Sequence, residues 1–365
     1  MNLASPLASR PVARPCPAKA QRSRLPLHAR SDAPVRPPAP TRPNSSFARD
    51  VLAGLAQRQK AIACTWLYDH RGSELFDEIT LLEDYYLSRS ETQILERCAK
   101  QIAALAGTGA TLIELGGGSS RKTPILLAAL DAPRAYLPID ISAQVLAEAV
   151  RALQARFATL RIEPVVADFA RLTSLPELAQ LEGAGRRVVF FPGSTIGNFT
   201  PDDAVSLLAR IGQAVGPDAL LVVGADTTRD PSVLIPAYDD LQGLSSAFNK
   251  NLLARINREL GGDFSLSAFR HEARFNAEQQ RVEMHLVSRY TQRASVLGHS
   301  FHFAMGESIH TANAYKHGLV TFQALAARAG WTQRQLWMDA QSRFAVHVLE
   351  HSPARSRCEQ NVNFR

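Results

Sequence analysis

The stretch Thr111-Leu112-Ile113-Glu114-Leu115-Gly116-Gly117-Gly118-Ser119-Ser120-Arg121-Lys122-Thr123 reads as a buried strand, a glycine turn and the opening of a helix. Pro124 comes next, at a position where first-turn N–H groups lack intrahelical partners anyway, so it is tolerated. Glycines in such a turn let the backbone approach a bound nucleotide closely. Turns of this kind serve NAD, FAD, nucleotides and S-adenosylmethionine (SAM) alike, so the turn alone leaves the ligand open. The spacing G-x-G-x-x-G fails, because Arg121 stands where the third glycine belongs, and a dinucleotide is disfavoured.

Downstream, short aliphatic runs alternate with helical patterns. Ala135–Asp140, Val165–Asp168, Arg187–Pro192 and Ala219–Asp226 read as strands, separated by amphipathic stretches such as Ser142–Phe157 and Pro201–Val215. This alternation predicts an α/β fold with a doubly wound, mostly parallel sheet, whose ligands lie beyond the carboxyl ends of the strands. After Asp226 the pattern changes to a long helical region, Val233–Leu260, then to alternating strands around Arg281–Ser288, with Asn276–Gln280 as a hairpin connection. Thr321–Ala329 and Arg343–Glu350 read as a return to the first sheet. The expected division is a cofactor domain over 96–228 and 319–352, and a second, α+β substrate domain over 47–95 and 229–318. Tails occupy 1–46 and 353–365.

The net charge of +7 belongs to the tail. Residues 1–46 carry eight basic side chains against Asp32 alone, and the rest of the chain is balanced at 33 basic and 33 acidic. The body therefore offers no electrostatic case for nucleic acid. Ten of the 21 prolines fall in the same segment, which lacks any sustained apolar period, so disorder is expected there. An inert start, a targeting segment and a polyanion contact are its readings, and the prolines from Pro34 to Pro43 oppose the amphipathic helix of a transit peptide. Apolar runs such as Ala219–Ala225 fall far short of the roughly 18 to 20 residues that cross a bilayer, so no membrane partner is expected. Cys16, Cys64, Cys98 and Cys358 are scattered without metal or disulfide spacing, which suits a reducing cytoplasm and implies no metal.

Two acids sharpen the reading of the glycine turn. Asp140 ends the second predicted strand, where a carboxylate can accept ribose hydroxyls, and Asp168-Phe169 ends the third, where an acid and an aromatic suit an adenine. Each acid could instead merely cap the helix after it. All three features at successive strand ends favour a nucleoside cofactor.

At this point the chain resembles the histidine-specific SAM-dependent methyltransferases, the family of the Nα-methyltransferase of ergothioneine biosynthesis. The resemblance runs from about Ser46 to Glu350. It rests on Trp66-Leu67-Tyr68-Asp69, Gly72-Ser73-Glu74-Leu75-Phe76-Asp77, Asp84-Tyr85-Tyr86 with Arg89-Ser90-Glu91, the glycine turn, Phe191 to Pro201, and Ala237-Tyr238-Asp239-Asp240. It implies a Rossmann-like fold, SAM as cofactor and a small amino acid as substrate of a monomeric enzyme. Residue by residue, it implies that Gly116, Gly118, Lys122, Asp140, Asp168 and Phe169 hold the cofactor. Asn198 and Tyr238 would grip the α-carboxylate, Tyr68 and the carbonyl of Gly193 would lie near the amine, and Tyr85 and Met284 would line the side-chain pocket.

The resemblance breaks at His310-Thr311-Ala312-Asn313-Ala314-Tyr315. The family usually carries glutamate at the place of Ala312 and serine at that of Ala314, and these recognise the imidazole. In an extended segment both positions share a face, so both losses enlarge and depolarise one pocket. An imidazole left without partners forfeits about 1 to 3 kcal/mol per unsatisfied group. Histidine remains the expected substrate by resemblance, and an aromatic or apolar amino acid such as tryptophan is the alternative. A noncatalytic cofactor or amino-acid sensor and an NAD-dependent oxidoreductase are more distant readings.

Overall fold

The computed structural model describes residues 45–118, 120–172, 174–175 and 185–352. Nearly all of the expected N-terminal tail and all of the C-terminal one lie outside these residues. The main sheet is built from β1 (Thr111–Leu115), β2 (Ala135–Asp140), β3 (Arg161–Ile162), β4 (Val165–Val166), β5 (Arg187–Phe191) and β6 (Leu220–Asp226). β7 (Phe269–Asn276), β8 (Arg281–Ser288), β9 (Gln292–Val296), β10 (His299–Phe303) and β11 (Ser308–Tyr315) follow outside it, and β12 (Trp331–Met338) and β13 (Phe344–His351) return to it.

Its strand order is β12-β13-β6-β5-β1-β2-β3, with β4 also paired to β2. The pairs from β6 to β3 are parallel, while β13 is antiparallel to both β6 and β12. The fold is thus the expected α/β Rossmann-like one. The chain leaves β1 toward β2 on one side and returns to β5 on the other, so the switch point lies between β1 and β5.

Strand alternation explains why both faces are covered. Ile113, Leu137, Val189, Leu221 and Val223 fill one core, and Leu112, Tyr136, Val188, Leu220 and Val222 fill the other. Side chains one residue apart point to opposite faces, so strands buried on both sides read as unbroken apolar runs.

The second part carries an antiparallel sheet ordered β11-β8-β7 and the separate hairpin β9-β10. The helical region expected over 233–260 is two helices, Pro231–Tyr238 and Leu244–Leu260. The Asp240 carboxylate makes the break by accepting the N–H groups of Leu244 (3.0 Å) and Ser245 (2.7 Å), a start signal for the second helix. The first part of the chain joins this sheet, since Ile62 N donates to His310 O and His310 N to Lys60 O. The helix Tyr86–Ala106 runs unbroken through residues 95 and 96. Among the described residues no helix is long and apolar enough to cross a membrane.

Candidate active site

A cavity of about 810 Å³ opens beyond the carboxyl ends of β1, β2 and β5, at the switch point. Its size suits a cofactor together with a small substrate. Every site residue singled out in the sequence, from Tyr68 and Gly116 to Ala312 and Ala314, lines it.

One end of the cavity is made by backbone. Gly116 (φ +71°) and Gly118 (φ +42°) take left-handed conformations, and a Cβ on Gly117 would come within 3.3 Å of Pro138. Here the glycines satisfy both the turn and the close packing. Asp140 accepts from the N–H of Gly118 (2.9 Å) and of Ser142 (2.8 Å), tying the glycine turn to the next strand end. A carboxylate offers about four lone-pair sites, so Asp140 keeps acceptor capacity for hydroxyls. Asp168 caps the short turn Phe169–Arg171 through Ala170 N (3.0 Å), and the Phe169 ring stands edge-on to Phe191, with an edge carbon 3.5 Å from where a Cβ on Gly116 would be. The capping and ligand-binding readings of these acids are therefore compatible. Flexible glycine backbone, a ribose-ready carboxylate and an aromatic wall fit SAM.

Beneath the turn, Glu114 is buried, and burial raises its carboxyl to about 7, opposed by hydrogen bonds from Tyr136 and from Thr123 (2.7 Å). Lys122 lines the cavity and is held from one side. Its ammonium is paired with the fully buried Glu91, whose Oε2 also accepts from Gly193 N at 2.8 Å. Glu91 thus joins the glycine turn to the loop after β5. Sequence reading gave it no role, although an acid on the apolar stripe of Leu87, Ile94, Leu95 and Cys98 was a visible signal.

The other end is aromatic. Tyr68 stands edge-on to Phe76 (5.5 Å) and Phe248 (5.4 Å), and Tyr85 edge-on to Tyr238 (6.1 Å). Such edge-to-face pairs lock ring orientation. Burial pushes the hydroxyls of Tyr68, Tyr85 and Tyr238 well above the ordinary tyrosine value, so each stays protonated. Asn198 ends the turn Thr195–Asn198 that follows Gly193 and Ser194, and its side-chain amide has no hydrogen-bond partner among the described residues. Met284 on β8 and Ala312 and Ala314 on β11 close the pocket, with Ala312 and Ala314 each 7% exposed. A bulge between His310 and Ala312 resets the register, after which Ala312 faces Met284 across the pair. His310, Thr311 and Asn313 also border the cavity.

The fold and the site together define an enzyme that holds a nucleoside cofactor at a switch point, beside an aromatic pocket for a small polar molecule. A family model described as "Histidine-specific methyltransferase, SAM-dependent" matches residues 47–351. A histidine N-alpha-methyltransferase of Mycolicibacterium smegmatis is 40% identical over 83% of this chain and 94% of its own length. A protein of the same name from Mycobacterium tuberculosis is 38% identical over 83% and 94%. The chain belongs to the family of histidine-specific SAM-dependent methyltransferases, and its cofactor is SAM.

Proposed function

We propose that the enzyme methylates the α-amine of free histidine stepwise to a trimethylated betaine, as in ergothioneine biosynthesis. The observation behind this is that the cofactor end and the aromatic end belong to one cavity, which Asn198 and Tyr238 both line. In this reading Asn198 and Tyr238 hold the α-carboxylate, while Tyr68 and the Gly193 carbonyl orient the amine. Residues 47–95 and 229–318 form the substrate side, and residues 96–228 and 319–352 the cofactor side. The substrate is a small molecule, and the enzyme acts as a cytoplasmic monomer.

When bound, SAM supplies an electrophilic methyl group on a sulfonium, which a neutral amine accepts. The α-amine is largely protonated near neutral pH, so it loses a proton first. Tyr68 keeps its own proton and is no strong base, and the amine's proton passes to water. What remains for the chain is positioning. Aromatic walls and the carboxylate anchor restrict the amine's approach, and such orientation is worth up to about 7 to 11 kcal/mol. The rate at subsaturating histidine should accordingly rise between pH 7 and pH 9.

A second reading rests on Ala312 and Ala314, which both face this cavity without a polar group for the imidazole. It holds that an aromatic or apolar amino acid such as tryptophan is methylated at least as well. Mass spectrometry of reactions with SAM and either histidine or tryptophan decides between the two and counts methyl groups. Methylation of neither amino acid, with SAM bound, would sink both readings.

A further inference from the structure

Behind Tyr238 lies a buried charged group that the methyl transfer as described does not use. Lys316 follows β11 directly and its side chain is 0% exposed, as is that of Asp226 at the end of β6. The Lys316 ammonium donates to Asp226 Oδ2 at 2.6 Å and to the Tyr238 hydroxyl oxygen at 2.8 Å. It also sits 4.5 Å from the centre of the Tyr238 ring. Asp226 is itself held, accepting from the Tyr86 hydroxyl at 2.8 Å and from Thr228 N at 3.0 Å, while its backbone N–H donates to Ser194 Oγ at 3.0 Å.

The direction of these bonds restricts Tyr238. An ammonium has donors only, so the phenol oxygen must accept from Lys316, and the phenol's single hydrogen is left over. Among the described residues that hydrogen has no acceptor, and Tyr238 borders the cavity. Burial keeps the proton on the oxygen. A phenol polarised from behind by a cation is a stronger donor in front, and the best complement to it is an anion.

We propose that Lys316 is a positioning residue for substrate selection, which fixes Tyr238 as an obligate donor and so makes the site demand an α-carboxylate. This rests on the proposed grip of Tyr238 on that carboxylate. It adds that selectivity against amines lacking the carboxylate originates one residue behind that proposed contact. The strand that presents Ala312 and Ala314 to the side chain thereby also controls the backbone end, through the lysine that follows it.

The test compares histidine with histamine, which keeps the imidazole and the amine but has no carboxylate. Lys316→Met is expected to raise KM for histidine about tenfold or more, with kcat and the Kd for SAM changed less than about threefold. Turnover of histamine should change little, so the preference for histidine shrinks by the same factor. In a Tyr238→Phe background the same substitution should add nothing. An unchanged preference, an equal loss for histamine, or a full further loss in the Tyr238→Phe background would each overturn the proposal. Should Tyr238→Phe itself leave KM and preference untouched, the carboxylate reading fails, separately from the role of Lys316. Because Lys316→Met strands a buried carboxylate, the neutral pair Lys316→Met with Asp226→Asn serves if the single variant does not fold, with the same outcomes read from it.

Discussion

The two ends of the cavity are held by different physics. At the cofactor end, polar groups are bonded to one another before any ligand arrives: Asp140 to two backbone N–H groups, Glu91 to Lys122 and Gly193, Glu114 to Tyr136 and Thr123. At the substrate end, rings pack on rings, and the Asn198 side chain has no hydrogen-bond partner among the described residues. The first end is a rigid socket defined by hydrogen bonds, in which a lost partner leaves a buried polar group stranded. The second is an apolar box, where specificity depends on a few polar groups that can be exchanged without disturbing the frame. Mutations should therefore act on stability and cofactor at one end, and on choice of substrate at the other.

The harshest break of this contrast is at Glu91. Its removal leaves a Lys122 ammonium and the Gly193 N–H without their acceptor in a buried place. Breaking a buried pair from one side typically costs about 3 to 5 kcal/mol. Glu91→Ala should lower the unfolding midpoint in urea sharply and impair both SAM and amino-acid binding, since it touches both loops. Glu91→Gln, which keeps an acceptor, should recover much of the stability. If Glu91→Ala unfolds like the parent, the two loops are not joined through this carboxylate.

A smaller loss is expected at Asp140. Asp140→Ala removes acceptors for Gly118 and Ser142 and the carboxylate offered to a ribose. The expected result is a Kd for SAM weaker by about ten- to a hundredfold, from one to two charge-assisted hydrogen bonds, with little change in KM for the amino acid. Calorimetry with SAM measures it directly. A parallel loss at both substrates would erase the distinction between the two ends.

The apolar box can be sharpened instead. Installing Ala312→Glu with Ala314→Ser places polar groups where the family usually has them, on residues that border the pocket from β11. The ratio of kcat/KM for histidine over tryptophan should rise about tenfold to a hundredfold, while the unfolding midpoint stays near that of the parent. An unchanged ratio would mean that the imidazole contacts another wall, with His310 and Asn313 the nearest polar candidates.

The same contrast explains what could be read from the chain. The switch-point site was legible because its parts are local: a strand, a glycine turn and acids at strand ends each show themselves within a few residues. Arg281–Ser288 was likewise read to its observed bounds, as period-two alternation is a local property. β12 escaped notice because Gln333, Arg334 and Gln335 interrupt its apolar pattern, which an edge strand with a bulge tolerates. The links that unify the site escaped for another reason. Glu91 reaches Gly193 across 102 residues and Lys316 reaches Asp226 across 90. No periodicity records such a pairing; only an acid or a lysine in an apolar context hints at it.

The smallest expected effect lies outside the cavity, where β13 and the segment after β11 bury two histidines. Burial lowers the imidazoles of His317 and His347 to about 4 in the folded chain, with Lys316 acting on His317 and His317 on His347 as secondary causes. The Nε2 of each is buried without a hydrogen-bond partner among the described residues. In the unfolded chain each titrates near its ordinary value of about 6.5. Between the two values the unfolded state binds more protons, so stability must rise with pH there and fall as pH drops from about 6.5 toward 4. Above pH 7 these two groups contribute no slope. Replacing His347, whose Nδ1–H donates to Gln333 Oε1 (3.0 Å) and whose ring packs on Phe322 (4.5 Å), by glutamine keeps a polar partner but removes the titration. His347→Gln should flatten the loss of midpoint between pH 7 and pH 5 without moving kcat at pH 8. An identical slope in parent and variant would show that acid sensitivity does not reside at His347; Glu114 and Asp140 would not account for it, since their raised carboxyls favour the folded state as pH falls.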